Sequence, residues 1–439
     1  MRTLSPAEAR PLPATSVSTP ARSRPTSPAA IPAPAGRAGR AKLILLLGSL
    51  IAVGPLTIDM YLPALPVITT ELTTNSATVQ LTLTGTLVGL AGGQLLVGPI
   101  SDAVGRRRPL IAGLALHVVA SVLCALAPNI AVLGVLRALQ GFGAAAALVV
   151  AVAVVRDRFS GSAFASVMSR LMLVMGVAPI LAPTLGGALL NWTDWRGVFV
   201  ALAVAGTLLA AVAAAGLRET LPVARRRPAR VSATVRYYGA LLRDRTFMGL
   251  VLVTALTMGA IFANVAGSPF VLQGQFGLTE QQFAVAFGAG ALGLIIATQV
   301  NVRLLRRYPP QQIAVTALVA ASVAALALVG FAATGAGGLA GILVPLFLAL
   351  MAAGLVMPNA PAVAMSRHGE AAGTAGAVLG AVQFGLAALT APMVGVLGSG
   401  ALAMAAVIAG AMLSATVIML LVVAARGRSR PATAAPATS

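Results

Sequence analysis

The stretch Leu43–Pro66 reads LILLLGSLIAVGPLTIDMYLPALP. It opens as an apolar run broken only by single hydroxyl residues, then carries Asp59 and closes with Tyr61, Pro63 and Pro66. A helix of ~20 residues crosses a bilayer, so the run is long enough to do so. A carboxylate inside such a segment is costly and rare, and marks a functional site by default. Asp59 stands ~24 Å along the helix from Leu43, within a hydrocarbon core of ~30 Å. The plainer alternative places Asp59 at the far water interface, where it would simply end the span. No other acidic residue lies inside an apolar segment of this chain.

The rest of the composition agrees with a membrane span. Of 439 residues, 58% are hydrophobic and 9% are charged, with a mean hydropathy of +0.94. Soluble domains carry about a quarter charged residues, so this apolar surface needs lipid. Further apolar segments follow at 78–100, 109–127, 131–155, 164–190 and 196–217. A polar, basic stretch at 218–246 interrupts them; then come 247–272, 282–304, 312–333, 338–361, 371–396 and 401–425. The pattern predicts an all-α integral membrane protein of twelve transmembrane helices in two pseudo-symmetric six-helix halves. The halves are 41–217 and 247–425, joined by the 218–246 linker and flanked by tails 1–40 and 426–439. The Pro-, Ala-, Ser- and Arg-rich first tail is expected to be disordered.

Arginine sets the expected orientation. With the N-terminus inside, all of the 30 Lys and Arg except Arg137 and Arg196 fall on inner segments. The positive-inside rule then predicts both termini in the cytoplasm of a bacterial cell, with the chain in its cytoplasmic membrane. The net charge of +20 is thereby topological, and no nucleic-acid partner is expected. Trp192 and Trp195 fall at the opposite face, where an aromatic belt belongs. The single cysteine, Cys124, reads as a core residue, and His117 and His368 have no metal-ligand spacing. No cofactor or metal is expected.

Three loops and helices carry motifs. After the second span come Gly98, Asp102, Gly105, Arg106 and Arg107 in Gly-Pro-Ile-Ser-Asp-Ala-Val-Gly-Arg-Arg-Arg. The glycines permit a tight turn, and the acid can pair with the arginines. In the fourth span Arg137, Gln140 and Ala144 share a helix face, with Arg137 ~21 Å above the inner surface and so near the depth of Asp59. The plainer reading of Arg137 is snorkelling to the outer headgroups. In the fifth span Gly176, Pro179, Pro183, Gly186 and Gly187 allow kinks and close backbone approach. Gly85, Gly89 and Gly93 form a small-residue packing face on the second span.

In order, these runs resemble motif A of the major facilitator superfamily, motif B of proton-driven drug exporters and, at Gly176–Gly187, the antiporter motif, the last imperfectly, since Ala182 stands where a glycine is usual. Five further runs narrow the resemblance: Asp59-Met60-Tyr61-Leu62-Pro63, Arg156-Asp157, Trp195-Arg196-x-x-Phe199, Met357-Pro358-Asn359-Ala360 and the loop Ser366-Arg367-His368-Gly369-Glu370, whose histidine reads as structural. Over about residues 43–425 the chain is similar to the bicyclomycin/chloramphenicol-resistance type of drug:proton antiporter. The resemblance implies a central cavity faced by Asp59, Tyr61, Arg137, Gln140, Thr257 and Asn264, with Asp59 and Arg137 coupling protons to export. The eleventh span starts near 371–376 on the cytoplasmic side, so its positive helix end is expected to face Asp102, which with the nearby arginines would latch the two halves in the outward-open state. The expected partners are a small-molecule substrate, protons and lipid, with the chain acting as a monomer. Transport of one dedicated metabolite and a non-transporting receptor or scaffold remain as alternatives. An intramembrane enzyme would need a catalytic constellation that is missing here, and there is no phosphate-binding loop for ATP.

Overall fold

A computed structural model describes residues 37–226, 231–366 and 372–428. The expectations for His368 and for most of both tails lie outside these residues. Among the described residues twelve helices are long and apolar enough to cross a membrane. The first half comprises α1 (Arg37–Asp59), α2 (Leu65–Glu71), α3 (Ser76–Val104), α4 (Arg107–Ala125), α5 (Ile130–Arg158), α6 (Gly161–Leu190) and α7 (Trp195–Gly216). The second comprises α9 (Arg245–Pro269), α10 (Glu280–Leu304), α11 (Pro310–Thr334), α12 (Gly338–Met365), α13 (Ala372–Val396) and α14 (Ala401–Arg428).

The first span is longer than the sequence suggested. A short 3₁₀ turn, Leu62–Ala64, joins α1 to α2, and the whole runs Ala38–Glu71. Pro63 fits there because the first positions of a helical turn need no N–H donor. Asp59 is therefore the last residue of α1, with about 18 Å of further chain rise beyond it. It lies within the combined helix Ala38–Glu71 rather than at its end, and is buried.

The 218–246 linker also contains more than the sequence reading assigned to it. Val231–Arg243 forms an amphipathic helix, α8, rather than an irregular connection. Leu241 is buried, and the Tyr238 hydroxyl donates to the Leu95 carbonyl of α3 at 3.2 Å.

Small residues let the helices meet. An added Cβ on Gly85 or Gly89 would strike backbone carbonyls of Gly134 or Ala138 on α5, and one on Gly93 would strike Ala145. The α3–α5 seam thus depends on glycine, as membrane interfaces driven by packing commonly do. The hydrogen bonds that join the halves lie toward the end remote from the arginine-rich loops. Gln80 donates to the Ala266 carbonyl at 3.2 Å and accepts from the Gly395 amide at 2.8 Å. Thr84 donates to the Ala388 carbonyl at 3.0 Å, and Gln273 to the Pro63 carbonyl at 3.3 Å. The central path is sealed at that end.

Gly89→Val is expected to lower stability by about 2 kcal/mol or more, because it meets unyielding backbone. Gly410→Ala, with nothing within 4 Å of the added carbon, should leave stability unchanged or raise it. Melting of the two purified variants in detergent compares them; equal midpoints would refute the packing account.

Candidate functional site

The site is built around the end of α1. Pro55 lies within this helix, and the helix stops at Asp59, so the backbone turns there. α6 supports the turn: a Cβ on Gly186 would collide with the Met60 carbonyl. The glycine- and proline-rich run of the fifth span is thus packed directly against the residue after Asp59. Pro179 lines the central cavity, and Pro183 is buried within α6. Gly176 and Gly187 face α10 of the other half, near Ile295 and Glu280.

Asp59 is 6% exposed and opens into a cavity of about 190 Å³ between the two halves. Its walls are apolar: Met175, Met258, Phe262, Phe287 and Phe384 are among them. Asn264 is the other polar side chain on the wall. Among the described residues, neither Asp59 nor Asn264 has a hydrogen bond or ion pair. Ordinary ligand sites measure ~300–1,000 Å³, so a larger substrate enters only when the halves part. Larger concavities exist, but they open laterally on the apolar belt, away from Asp59.

The other residues expected at this cavity lie elsewhere. Arg137 is 0% exposed and sits inside the first half, among α1, α4, α5 and α7. Its Nη1 donates to the Thr57 carbonyl at 2.8 Å and to Gln140 Oε1 at 2.6 Å. Its guanidinium carbon lies 4.7 Å from the Tyr61 ring centre and 5.6 Å from that of Phe199. Gln140 passes the network on by donating to Ser121 Oγ at 2.8 Å, and Ser121 donates to the His117 carbonyl at 2.7 Å. His117 Nε2 lies 2.8 Å from Thr57 Oγ1, closing the ring of contacts. Arg137 and Gln140 therefore neither face the cavity nor reach the headgroups.

The reason is angular. Residues two apart on a helix point about 200° from each other. Thr57 and Tyr61 face Arg137, so Asp59 faces away. Equal depth did not mean equal face.

Tyr61 is likewise fully buried, its hydroxyl 3.1 Å from Thr82 Oγ1 and its ring 5.4 Å from that of Phe199. Thr257 turns its hydroxyl back onto the Val253 carbonyl and lines no part of the cavity. Of the six residues expected there, Asp59 and Asn264 are the ones on the wall. The sequence reading missed its methionine and phenylalanine lining, which no local motif marks. Trp195 is not a belt residue either. It is buried, and its indole N–H donates to Glu71 Oε2 at 2.7 Å, while Arg196 pairs with the same carboxylate. Trp192, at 86% exposure, does stand at the surface.

A second cluster forms at the arginine-rich end. Arg106 Nε meets Asp157 at 3.0 Å, and its Nη1 meets Asp102 at 2.5 Å and Ser101 Oγ at 2.7 Å. Gly105 has φ +101°, and any Cβ there would strike the Glu219 carboxylate, so glycine is required twice over. Glu219 accepts from the Arg106 amide at 2.8 Å and the Arg107 amide at 3.2 Å, capping the start of α4. Arg107 donates to the Ala214 carbonyl at 2.6 Å, and Gly98 accepts from Ser101 at 2.9 Å. Asp102 itself is 53% exposed and pairs within its own loop. The start of α13 (Ala372–Val396), expected to face it, is described, and the ion pair of Asp102 is with Arg106 of its own loop. Glu219 was not singled out from sequence, because nothing in a linker marks one acid as a cap. In the second half, a buried bond of 2.6 Å from Asn359 to Asn301 stands in place of this charged cluster.

These features define a membrane transporter: two six-helix halves enclosing one apolar cavity. The sequence matches the Major Facilitator Superfamily over residues 45–392, and the chain belongs to that family. It is 40% identical over 359 residues to an uncharacterized MFS-type transporter, YdgK, of Bacillus subtilis, covering 81% of this chain and 89% of that one. It is 29% identical over 357 residues to a bicyclomycin resistance protein homolog of Haemophilus influenzae, covering 80% and 88%. The resemblance read from the motifs is thus matched by whole-chain relatives. The crystal structure of a D-xylose-proton symporter superposes with a TM-score of 0.68 at 14% identity, over 85% of this chain and 96% of that one. At that identity the likeness shows the fold.

Glu219 generates a pH prediction. Burial pushes its carboxyl up, but amide bonds from Leu221, Arg106, Arg107 and Thr220 outweigh this and hold it below the usual carboxylate range. A depressed carboxylate stabilises the fold above its unfolded pKa and loses that contribution as pH falls through the folded pKa. Glu219→Gln should melt below the wild type by a constant margin above about pH 4.5, and the margin should shrink in more acid solution. A margin independent of pH would refute the charged cap.

Proposed function

We propose that this protein exports amphipathic small molecules from the bacterial cytoplasm in exchange for protons, with Asp59 as the proton carrier. The observation that carries the reading is Asp59 itself: a buried carboxyl without a partner among the described residues, on the wall of an apolar cavity shared by both halves. A protonated carboxyl is tolerated in such surroundings, whereas an ionised one needs water or a counter-charge. In the outward-open state Asp59 takes a proton from outside. In the inward-open state it meets water or a cationic substrate and releases it. Wide apolar walls with one acid suit a promiscuous apolar or cationic cargo; a sugar site needs several placed polar groups. The relative named for bicyclomycin resistance supports a drug-like cargo.

Arg137 enters this scheme through α1 rather than by facing the cargo. It holds the Thr57 carbonyl and the Tyr61 ring, two residues to either side of Asp59. Movement of that clamp would reorient Asp59 without any direct ion pair. Both termini are placed in the cytoplasm by the arginine distribution, and the transport unit is a single chain.

Two measurements test the reading. A cysteine at Ser429, with Cys124 replaced, should resist an impermeant thiol reagent in intact cells; labelling before lysis would reverse the orientation. On adding substrate to purified protein, the wild type should release protons and Asp59→Asn should release none, while still binding an uncharged substrate. Equal release by Asp59→Asn would move the coupling to another group.

A further inference from the structure

A wide concavity on the first half lies apart from the cavity that Asp59 lines. It measures about 980 Å³ and lies between α1 and α7 on the lateral face of the first half. On α1 it runs from Gly39 to Leu56, a rise of about 25 Å, deeper than one ~15 Å leaflet. Along this length, below the mouth, its lining is apolar apart from Ser49 and His117, and includes Leu45, Leu208 and Val212, which the protein leaves exposed.

Its mouth is different. Lys42, the single lysine of the chain, lies near the start of α1, and Arg218 follows the end of α7. Both are exposed, both line the groove, and neither has an ion pair among the described residues. Arg158, the last residue of α5, lines the same mouth. Positive charge therefore collects where an interfacial headgroup would sit, above a slot of leaflet depth. The cations are not a feature of lateral grooves in general. The second groove, about 850 Å³ between α11 and α12, has Tyr308 and Gln312 toward the same end and no charged lining residue.

We propose that the α1–α7 groove binds one anionic phospholipid, its phosphate held by Lys42 and Arg218 and its acyl chains laid along Leu45, Leu208 and Val212. Basic sites between membrane helices recognise anionic headgroups by this combination of charge and apolar slot. A zwitterionic lipid fills the same slot without the gain in charge. A second copy of the chain would not, since its own facing surface at this depth would bring a like-charged mouth against this one.

The test is lipid retention by the full-length protein in native mass spectrometry, titrating phosphatidylglycerol or phosphatidylcholine into delipidated detergent solution. One phosphatidylglycerol should be held at about thirtyfold lower concentration than phosphatidylcholine, from two basic side chains at ~1 kcal/mol each. Lys42→Gln with Arg218→Gln should bring the two lipids level. Arg306→Gln with Arg307→Gln, at the same end but off the groove, should leave the preference intact. Glycerol phosphate, lacking acyl chains, should neither bind nor compete. Leu208→Trp with Val212→Trp, which fills the slot, should weaken retention of both lipids. Because the charge substitutions are at exposed positions, a matching readout is the rise in melting temperature on adding phosphatidylglycerol, present in wild type and absent in Lys42→Gln with Arg218→Gln. Equal affinity for the two lipids, unchanged preference in that variant, displacement by glycerol phosphate, or a dimer that buries the groove would each overturn the proposal. Proton release is not involved, so failure here leaves the reading of Asp59 untouched.

Discussion

The constraint on which the first half depends is a cation with nowhere to go. Arg137 is fully buried, eight residues into α5, without a carboxylate among its described neighbours. An uncompensated buried charge costs several kcal/mol. The protein meets that cost with neutral groups: the Thr57 carbonyl, the Gln140 amide oxygen and the faces of Tyr61 and Phe199. A desolvated cation over an aromatic ring contributes about 2 kcal/mol. Each of these partners then has to be held in place, which recruits Ser121, His117 and Thr82. One guanidinium thereby fixes α1, α3, α4, α5 and α7 relative to one another.

That arrangement determines what Asp59 can do. With Thr57 and Tyr61 committed to Arg137, the residue between them is turned to the opposite face of α1. It meets the cavity and the second half rather than the arginine. The close approach of Gly186 to the Met60 carbonyl holds the turn from the other side. The glycine- and proline-rich run of α6 and the arginine of α5 thus act on the same short piece of backbone, one by contact and one by charge. At the arginine-rich end, Arg106 performs a related task in water-accessible surroundings. It gathers Asp102, Asp157 and Ser101, while Glu219 caps the helix that follows.

The sequence by itself determined the class. Long apolar runs, few charges and a one-sided arginine distribution leave a polytopic helical membrane protein as the physical solution, because backbone polar groups in lipid must be satisfied within the helix. It also singled out Asp59 and Arg137. A carboxylate and an arginine well inside apolar runs are conspicuous because each is expensive there. The glycines at 85, 89 and 93, and Gly105 in its turn, were legible for the same kind of reason: their spacing or their loop context demanded a missing side chain.

Tertiary structure decided which way those residues face and what they touch. Depth follows from counting along one helix, but azimuth depends on how neighbouring helices are rotated about their axes. In spans apolar nearly all the way round, the sequence has little periodicity from which to read that rotation. Hence Arg137, Gln140, Tyr61 and Thr257 were placed on the cavity and belong to the bundle interior, and Trp195 was placed at the surface and is buried. The walls of the cavity come from eight helices of both halves, and no single stretch of sequence carries the signal of a surface assembled from so many. Glu219 illustrates the same limit: an acid in a basic linker becomes a helix cap only when the fold brings the Arg106 and Arg107 amides to it.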